Sequence, residues 1–242
     1  MGKENFFNSI CMKDEWLDKE FAGKWDVDTE RGNPTRPEQL DILTTIISDS
    51  YEDGKHIIDL GFGSGQVEEM IFQRRPNAKV IGIDSSSVMI DLAHKRLSNS
   101  KNNYEAIQHE LTELKSLKLL SKDFQFAIAV QALHHLPHEQ KKEIFSWVYN
   151  ILEKGGTFFI LDRIAIDMDT LFKTYKSIWD RMERNAKLKS RKSFDQYVEK
   201  IKTKEDEPAT VEQHLVWLRE IGFVPACLHL YFDRILIGAQ KI

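Results

Sequence analysis

His56-Ile-Ile-Asp-Leu-Gly61-Phe-Gly-Ser-Gly65-Gln-Val-Glu-Glu-Met70 is the stretch that decides the fold. A short β-branched run ends in three alternating glycines, and Gln66 to Arg74 continues with helical character. A strand that turns through glycines into a helix is the opening of a βαβ unit. Outward from it the alternation continues. Lys79 to Asp84 reads as a second strand and Ser87 to Leu97 as a second helix, with N-cap candidates at Ser85 to Ser87. Tyr104 to Gln108 is a third strand and Phe124 to Val130 a fourth. A helix from about Pro137 to Leu152 follows, and Gly155-Gly156 breaks the chain before a fifth strand at Thr157 to Leu161.

Apolar strands alternating with helices imply a parallel sheet covered on both faces, with strand C-termini gathered on one ligand-binding edge. The rhythm then changes. Arg163 to Glu207 is helical and strongly charged, and Thr210 to Ile221 is one more helix. Val224 to Phe232 and Arg234 to Gln240 read as a closing antiparallel hairpin on the sheet edge, which brings the count to seven strands. Two helices joined at Arg31-Gly32-Asn33-Pro34 fill the first 50 residues and are expected over that same edge.

Composition narrows the function. The 242 residues suit one domain with an insertion; 41% are hydrophobic and 30% charged, which supports a core and excludes disordered and disulfide-scaffold classes. A net charge of −4 does not suit an obligate nucleic-acid clamp. Cys11 and Cys227 stand 216 positions apart with no Cys/His ligand spacing, so no metal is expected. No apolar run exceeds five residues, Phe126 to Val130, and the N-terminus lacks a signal-type segment; the expectation is a cytoplasmic chain without membrane contact.

The glycine loop carries the chemistry. Asp84 ends the second strand 23 residues beyond Gly61, where a carboxylate can accept bonds from vicinal ribose hydroxyls. The glycines run G-x-G-x-G, not the G-x-G-x-x-G that seats a pyrophosphate, and the Asp59 charge would repel a diphosphate by up to a few kcal/mol at roughly 5 Å. A nicotinamide oxidoreductase is disfavoured on both counts. Asp59-Leu-Gly-Phe-Gly-Ser-Gly65 with the acidic second strand resembles the class I S-adenosylmethionine-dependent methyltransferases. Leu133-His-His-Leu-Pro137 after the fourth strand and Leu152-Glu-Lys-Gly-Gly156 before the fifth match that family in order and spacing, so the likeness covers Lys55 to Leu161. Phe124-Gln125 departs from the family's usual Phe-Asp, at the far end of the strand.

The resemblance implies an α/β, doubly wound, Rossmann-like methyltransferase fold: a seven-stranded, mostly parallel sheet with an antiparallel edge strand, an N-terminal helical segment and a helical insertion after strand five. It divides one domain into a helical cap (1–54), a cofactor core (55–162), a substrate-cap insertion (163–209) and a closing helix with strands (210–242). It implies S-adenosyl-L-methionine as cofactor. Asp59 would order the loop beside the methionyl amino group, with Gly61, Phe62, Gly63 and Gly65 lining the amino-acid part. Asp84 would hold the ribose with Ser85 and Met89 beside it. Glu110 and Leu111 would meet the adenine, and Val130 and Gln131 would line the cofactor from the fourth strand. Arg31 or Arg36, ahead of the first strand, would hold the methionyl carboxylate.

For the acceptor side, His134 or His135 is expected to take a proton or orient the acceptor, against the plainer reading of a loop residue and a helix start. Asp162 reads as a structural cap or a partner for a cationic substrate. Trp16, Phe21 and Trp25 either close the acceptor cavity or are plain core. Met168, Phe172, Tyr175, Trp179 and Met182 share one helical face, roofing a pocket or packing on the domain. Opposite lie Arg181, Arg184, Lys187, Lys189, Arg191 and Lys192, which read as a solvated face but leave tRNA open as a partner. The expected activity is methyl transfer to a small molecule by in-line displacement. The alternatives are a non-catalytic cofactor-binding subunit and a cofactor-modifying enzyme related to tRNA modification. Monomer and homodimer both remain open.

Overall fold

The computed structural model describes residues 15–33, 35–119, 124–186, 193–203 and 206–242. Seven strands run β1 (His56–Leu60), β2 (Lys79–Asp84), β3 (Tyr104–Gln108), β4 (Phe124–Val130), β5 (Leu152–Arg163), β6 (Phe223–Tyr231) and β7 (Arg234–Lys241), in the spatial order β3-β2-β1-β4-β5-β7-β6. The first five pair in parallel. β7 runs antiparallel between β5 and β6, so the closing hairpin supplies that edge with β6 outermost. The strand order reverses between β1 and β4, which opens a crevice at their C-terminal ends.

The helices are α1 (Lys19–Gly32), α2 (Arg36–Ser50), α3 (Gln66–Arg74), α4 (Ser87–Arg96), α5 (His138–Ile151), α6 (Phe172–Ala186), α7 (Phe194–Thr203) and α8 (Val211–Ile221). Ile144, Phe145 and Val148 of α5 and Trp217 and Leu218 of α8 bury one sheet face against Ile58, Leu60, Phe158 and Ile160. Leu40, Leu43 and Ile47 of α2 and Val67 and Ile71 of α3 bury the other against Ile57, Ile128, Phe159 and Leu161. Alternate strand residues feed the two cores, as the period of two requires. Among the described residues no helix is long and apolar enough to cross a membrane.

Local chemistry sets the element ends. Ser86, one of the three cap candidates, accepts the Met89 N–H at the start of α4. Thr210 and Gln213 form a capping box on α8, and Gly222 ends that helix at φ 115°.

Three expectations shift. Extended backbone begins at Leu152 rather than Thr157, because Leu152 pairs with Phe124 before the register jumps to Phe126 opposite Thr157. A Cβ on Gly156 would stand 3.0–3.1 Å from three carbonyl oxygens, so the residues read as a break are a close crossing inside the strand. The N-terminal helices divide: α2 reaches the hairpin edge, where Gln39 Nε2 lies 3.2 Å from His229 Nδ1 of β6, and α1 turns to α4. The apolar stripe of α2 is buried on the sheet face, and Ala22 of α1 packs on Val88 and Met89 of α4. Finally, the long charged stretch is two helices, α6 and α7, whose apolar faces close on each other through Met168, Trp179, Met182, Phe194 and Val198. Of the two expected roles the face takes packing on the domain, since the cluster closes on Tyr231 and Phe232 at the β6–β7 turn. Gln125, the departure from the family pattern, bonds Glu52 N and Ser50 O and fixes the α2–β1 connection.

Candidate cofactor and acceptor site

The crevice has two ends. At the β1 exit, the Gly61 and Phe62 N–H groups both donate to Ile83 O, at 2.8 and 3.0 Å, folding the loop over the end of β2. Gly61 has φ +85°, and a Cβ there would lie 2.4 Å from Ala132 Cβ. Gly63 has φ +55° and nothing nearer its missing Cβ than 3.9 Å, so its side faces open space. Its N–H donates to Asp84 Oδ2 at 2.8 Å, while Asp84 Oδ1 accepts from Ser86 N at 2.8 Å. Burial raises the Asp84 pKa, the two backbone donors oppose that, and the facing Glu110 charge adds to it. The structure thus brings Gly63, Asp84 and Glu110 together. Gly65 caps α3, and Leu111 opens the Leu111–Ser116 turn after Glu110, half-buried on the core.

Asp59 does something other than expected. It is 1% exposed, and its loop-ordering role belongs to Asp84. Its carboxyl meets Glu68 of α3, a fully buried acid, and the two side chains hydrogen-bond each other. Burial, then the Glu68 charge, pushes Asp59 well above the usual carboxylate range, with Arg36 opposing. Burial likewise lifts Glu68 to about 7. The pair keeps a proton to higher pH than free carboxylates do. The repulsion of a diphosphate expected from Asp59 therefore cannot rest on a full Asp59 charge.

Three other expected lining residues turn inward. Phe62 packs on Gly82, where a Cβ would fall 2.2 Å from its ring, and stacks on Tyr104 at 6.1 Å; only its backbone belongs to the loop. Met89 is buried with Ala22 and Trp16, and Val130 lies in the α2-side core. Ser85 is exposed, its carbonyl taken by Gln108. Trp16 and Phe21 meet edge to face at 5.3 Å over the start of α4, on the β2 side rather than the acceptor side, and Ser86 Oγ donates to Trp16 O. The side chains of Trp25 and Arg31 lie outside the described residues, as do Lys187, Lys189, Arg191 and Lys192.

Arg36 bridges the β1 and β4 exits. It is buried at the start of α2, donating from Nη1 to Gln131 Oε1 (2.8 Å) and from Nη2 to Gln66 Oε1 (3.0 Å). Gln131 itself sits at φ +55°, a left-handed conformation at the β4 exit that tertiary contacts must hold. The glycine loop is clamped from outside as well. Asp26 of α1 takes bonds from Gln66 (2.8 Å), Arg96 (2.6 Å) and Ser64, and Arg96 also donates to Ser64 O at 3.0 Å.

At the other end, the turn Leu133–His135 follows β4. His134 N donates to Asp162 Oδ2 at 2.9 Å, and His134 Nδ1 meets Asp162 Oδ1. Burial presses His134 down to about 4 against the pull of Asp162, so the imidazole is neutral and its Nδ1–H donates. Burial alone would raise Asp162, but His134 and the Arg163 N–H bring it to about 2. Asp162 thus has the structural, capping role of the two expected, holding the His134 and Arg163 N–H groups while buried from a substrate cation. His135 Nδ1 lies 2.7 Å from Asp206 Oδ1, and the two imidazole centroids are 3.9 Å apart. Arg163 pairs with the other Asp206 oxygen, and the Glu207 N–H donates to His134 O at 3.0 Å. Lys141 Nζ donates to the carbonyls of Leu136 and Glu207, locking the Asp206 loop to the histidine turn.

Sequence reasoning missed Glu68, Asp26, Lys141 and Asp206. Glu68 had a signal, since it stands three and four residues before Ile71 and Phe72 on the buried face of α3. Asp206 had none, being 71 residues from its histidine.

Comparison with known proteins agrees with this geometry. Residues 57–156 match the family model of the methyltransferase domain. Over 232 residues the chain is 26% identical to a carboxy-S-adenosyl-L-methionine synthase of Helicobacter hepaticus, covering 91% of this chain and 92% of that protein. An O-methyltransferase family protein of Burkholderia thailandensis superposes with a TM-score of 0.67 at 14% identity, over 93% of this chain and 60% of that one. The chain therefore spans about three fifths of that solved protein's length. Magnesium protoporphyrin IX methyltransferase of Synechocystis, solved with bound SAH, superposes at 0.57 with 15% identity, over 84% of this chain and 83% of that one.

A seven-stranded sheet with one reversed strand, entered through a glycine loop and followed by an acid at the second strand end, defines the Rossmann-like methyltransferase fold. With the match over residues 57–156 inside it, the chain carries a methyltransferase domain of the class I S-adenosylmethionine-dependent kind. Its cofactor is S-adenosylmethionine, and the residues fit one. Gly63 leaves space where a side chain would stand, each Asp84 oxygen keeps a lone pair for a hydroxyl, and the buried Arg36 brings guanidinium N–H donors to the same crevice.

Proposed function

We propose that this enzyme methylates a small-molecule acceptor held beside the Leu133–His135 turn, with the cofactor across the β1, β2 and β4 exits. The observation that carries this reading is the continuity of the crevice: Arg36 links Gln66 after the glycine loop to Gln131, three residues before His134. S-adenosylmethionine supplies an electrophilic methyl on a sulfonium, which needs no covalent enzyme chemistry. The chain supplies position. Asp84 holds the ribose hydroxyls, Glu110 with Leu111 takes the adenine, and Arg36 the carboxylate of the methionyl part. The Asp59–Glu68 pair gives the ammonium a buried acidic neighbour that can release its proton on binding. His134 and His135 form the polar wall toward which the acceptor's nucleophilic atom points. Asp162 and Asp206 fix both rings, so the acceptor meets an oriented surface and loses little entropy on alignment.

S-adenosylhomocysteine titration tests the cofactor half: micromolar binding is expected, and it is lost in Asp84→Ala. A panel of small hydroxyl, carboxyl and amine acceptors with radiolabelled cofactor tests the other half. No turnover with any of them, despite intact binding, would leave only a cofactor-binding subunit. One observation favours a second reading. The near full-length likeness to a carboxy-S-adenosyl-L-methionine synthase supports modification of the cofactor itself rather than transfer of its methyl. Mass spectrometry separates the two, since a methylated acceptor appears with S-adenosylhomocysteine, and a modified cofactor appears without it.

A further inference from the structure

The acceptor wall has the composition of a metal site. We propose that His134, His135 and Asp206 bind one divalent transition-metal ion, through which the chain holds an oxygen-bearing acceptor. Each residue offers a ligand atom, and the three atoms lie within 4.8 Å of one another. Two imidazoles and one carboxylate select Zn²⁺, Fe²⁺, Co²⁺ or Ni²⁺ over Mg²⁺ and Ca²⁺, which prefer all-oxygen shells.

A second, independent feature is the support behind the ligands. A metal-binding histidine characteristically donates its other ring N–H to a carboxylate, which fixes the tautomer and raises ligand basicity. His134 has that partner: Nδ1 is held by the buried Asp162, and no described residue takes Nε2. Asp206 is oriented likewise, because Arg163 holds Oδ2 and leaves Oδ1 toward the histidines. His135 Nδ1 and Asp206 Oδ1 stand 2.7 Å apart. Separation by a few tenths of an ångström admits an ion at about 2.0–2.1 Å from each, with loss of the proton between them. The movement is small because the Glu207 N–H bond to His134 O and the two Lys141 bonds already hold the Asp206 loop against the turn. His135 remains partly exposed, so the ion keeps open positions on the crevice side.

An oxygen acceptor entering an open position would be oriented and would ionise at a lower pH, the two things a hydroxyl needs before it attacks a methyl group. That role rests on the methyl-transfer reading; the metal site itself rests on side-chain geometry alone.

Untagged protein stripped with chelator is titrated with Co²⁺, followed by visible d–d absorption and calorimetry, and S-adenosylhomocysteine affinity is measured on the same samples. The expected result is one Co²⁺ per chain at micromolar affinity, displaced by Zn²⁺. His135→Gln and Asp206→Asn should each weaken it about tenfold or more and leave S-adenosylhomocysteine binding unchanged. Asp206→Asn also removes the partner of Arg163, so His135→Gln, checked by its melting temperature, is the deciding variant. Absent d–d bands, or equal Co²⁺ affinity in parent and His135→Gln, would overturn the site. Loss of S-adenosylhomocysteine binding in the parent with Co²⁺ binding retained would overturn the proposed function and keep the site.

Discussion

The two ends of the crevice satisfy their polar groups in opposite ways. At the β1 and β2 exits the loop's own backbone is held locally, Gly61 and Phe62 to Ile83, Gly63 and Ser86 to Asp84, and Asp26 of α1 clamps it from outside. Acceptor capacity is left over there, and the buried acids Asp59 and Glu68 have no basic partner beyond each other's proton and the nearby Arg36 charge. At the β4 and β5 exits, Asp162, Arg163, Asp206, His134, His135 and Lys141 neutralise one another across a span of more than seventy residues. The first end is built around groups a ligand brings with it. The second has its charges paired before anything arrives, so whatever binds there must enter existing bonds.

This contrast predicts that the two ends fail differently. Asp162→Ala removes both bonds to His134 and leaves buried basic groups uncompensated, which should cost about 3–5 kcal/mol of stability by urea denaturation. A loss under about 1 kcal/mol would show that water, and not Asp162, satisfies His134. Asp84→Ala should act mainly on binding. Losing two charge-assisted bonds to the ribose weakens S-adenosylhomocysteine about 100-fold or more, at a smaller stability cost of about 1–2 kcal/mol. If stability falls more than affinity, the first end is a structural knot like the second.

The glycines sharpen the comparison inside the first end. Gly61→Ala drives a Cβ into Ala132 at a positive φ and should destabilise the chain by about 2–3 kcal/mol. Gly63→Ala places its methyl in open space and strains the backbone by only about 1 kcal/mol, yet that space is where the cofactor is expected. Thermal melting should fall further in Gly61→Ala, and S-adenosylhomocysteine affinity further relative to stability in Gly63→Ala. The reverse order would move the cofactor away from Gly63.

The same contrast explains what the sequence could reveal. The strand–loop–helix units, the glycine loop and the Asp84 strand end were legible because each is written in contiguous residues with a fixed period or spacing. Arg36 was legible only as a candidate, since nothing local says that α2 turns its first residue toward Gln131. Phe62 and Met89 were misplaced because sequence position within a loop or first turn does not say which way a side chain points; packing on Gly82 and on Ala22 decided it. Gly155-Gly156 was misread because a glycine pair signals a break and a tight strand crossing equally well. Asp206 was invisible, since pairing with His135 depends on where a helical insertion returns to the sheet.

The smallest predicted effect tests the proton shared inside the first end. Glu68 has its pKa raised from 4.5 to about 7 by burial, so the folded chain holds a proton that the unfolded chain releases between those values. Stability from this group is complete below pH 4.5 and is lost as pH rises toward 7, at up to about 1.4 kcal/mol per pH unit. Asp59, raised in the same direction, adds to the decline. Glu68→Gln removes the titrating group but keeps its shape and a hydrogen-bond donor toward Asp59. It also removes the negative charge that helps hold Asp59 protonated, so Asp59 should ionise at lower pH in the variant. Urea denaturation at intervals from pH 5 to 8 should show a steady fall in the parent and a shallower one in Glu68→Gln, with the curves diverging most near pH 7. Parallel curves would place the buried proton on some other group and leave Glu68 charged beneath the glycine loop.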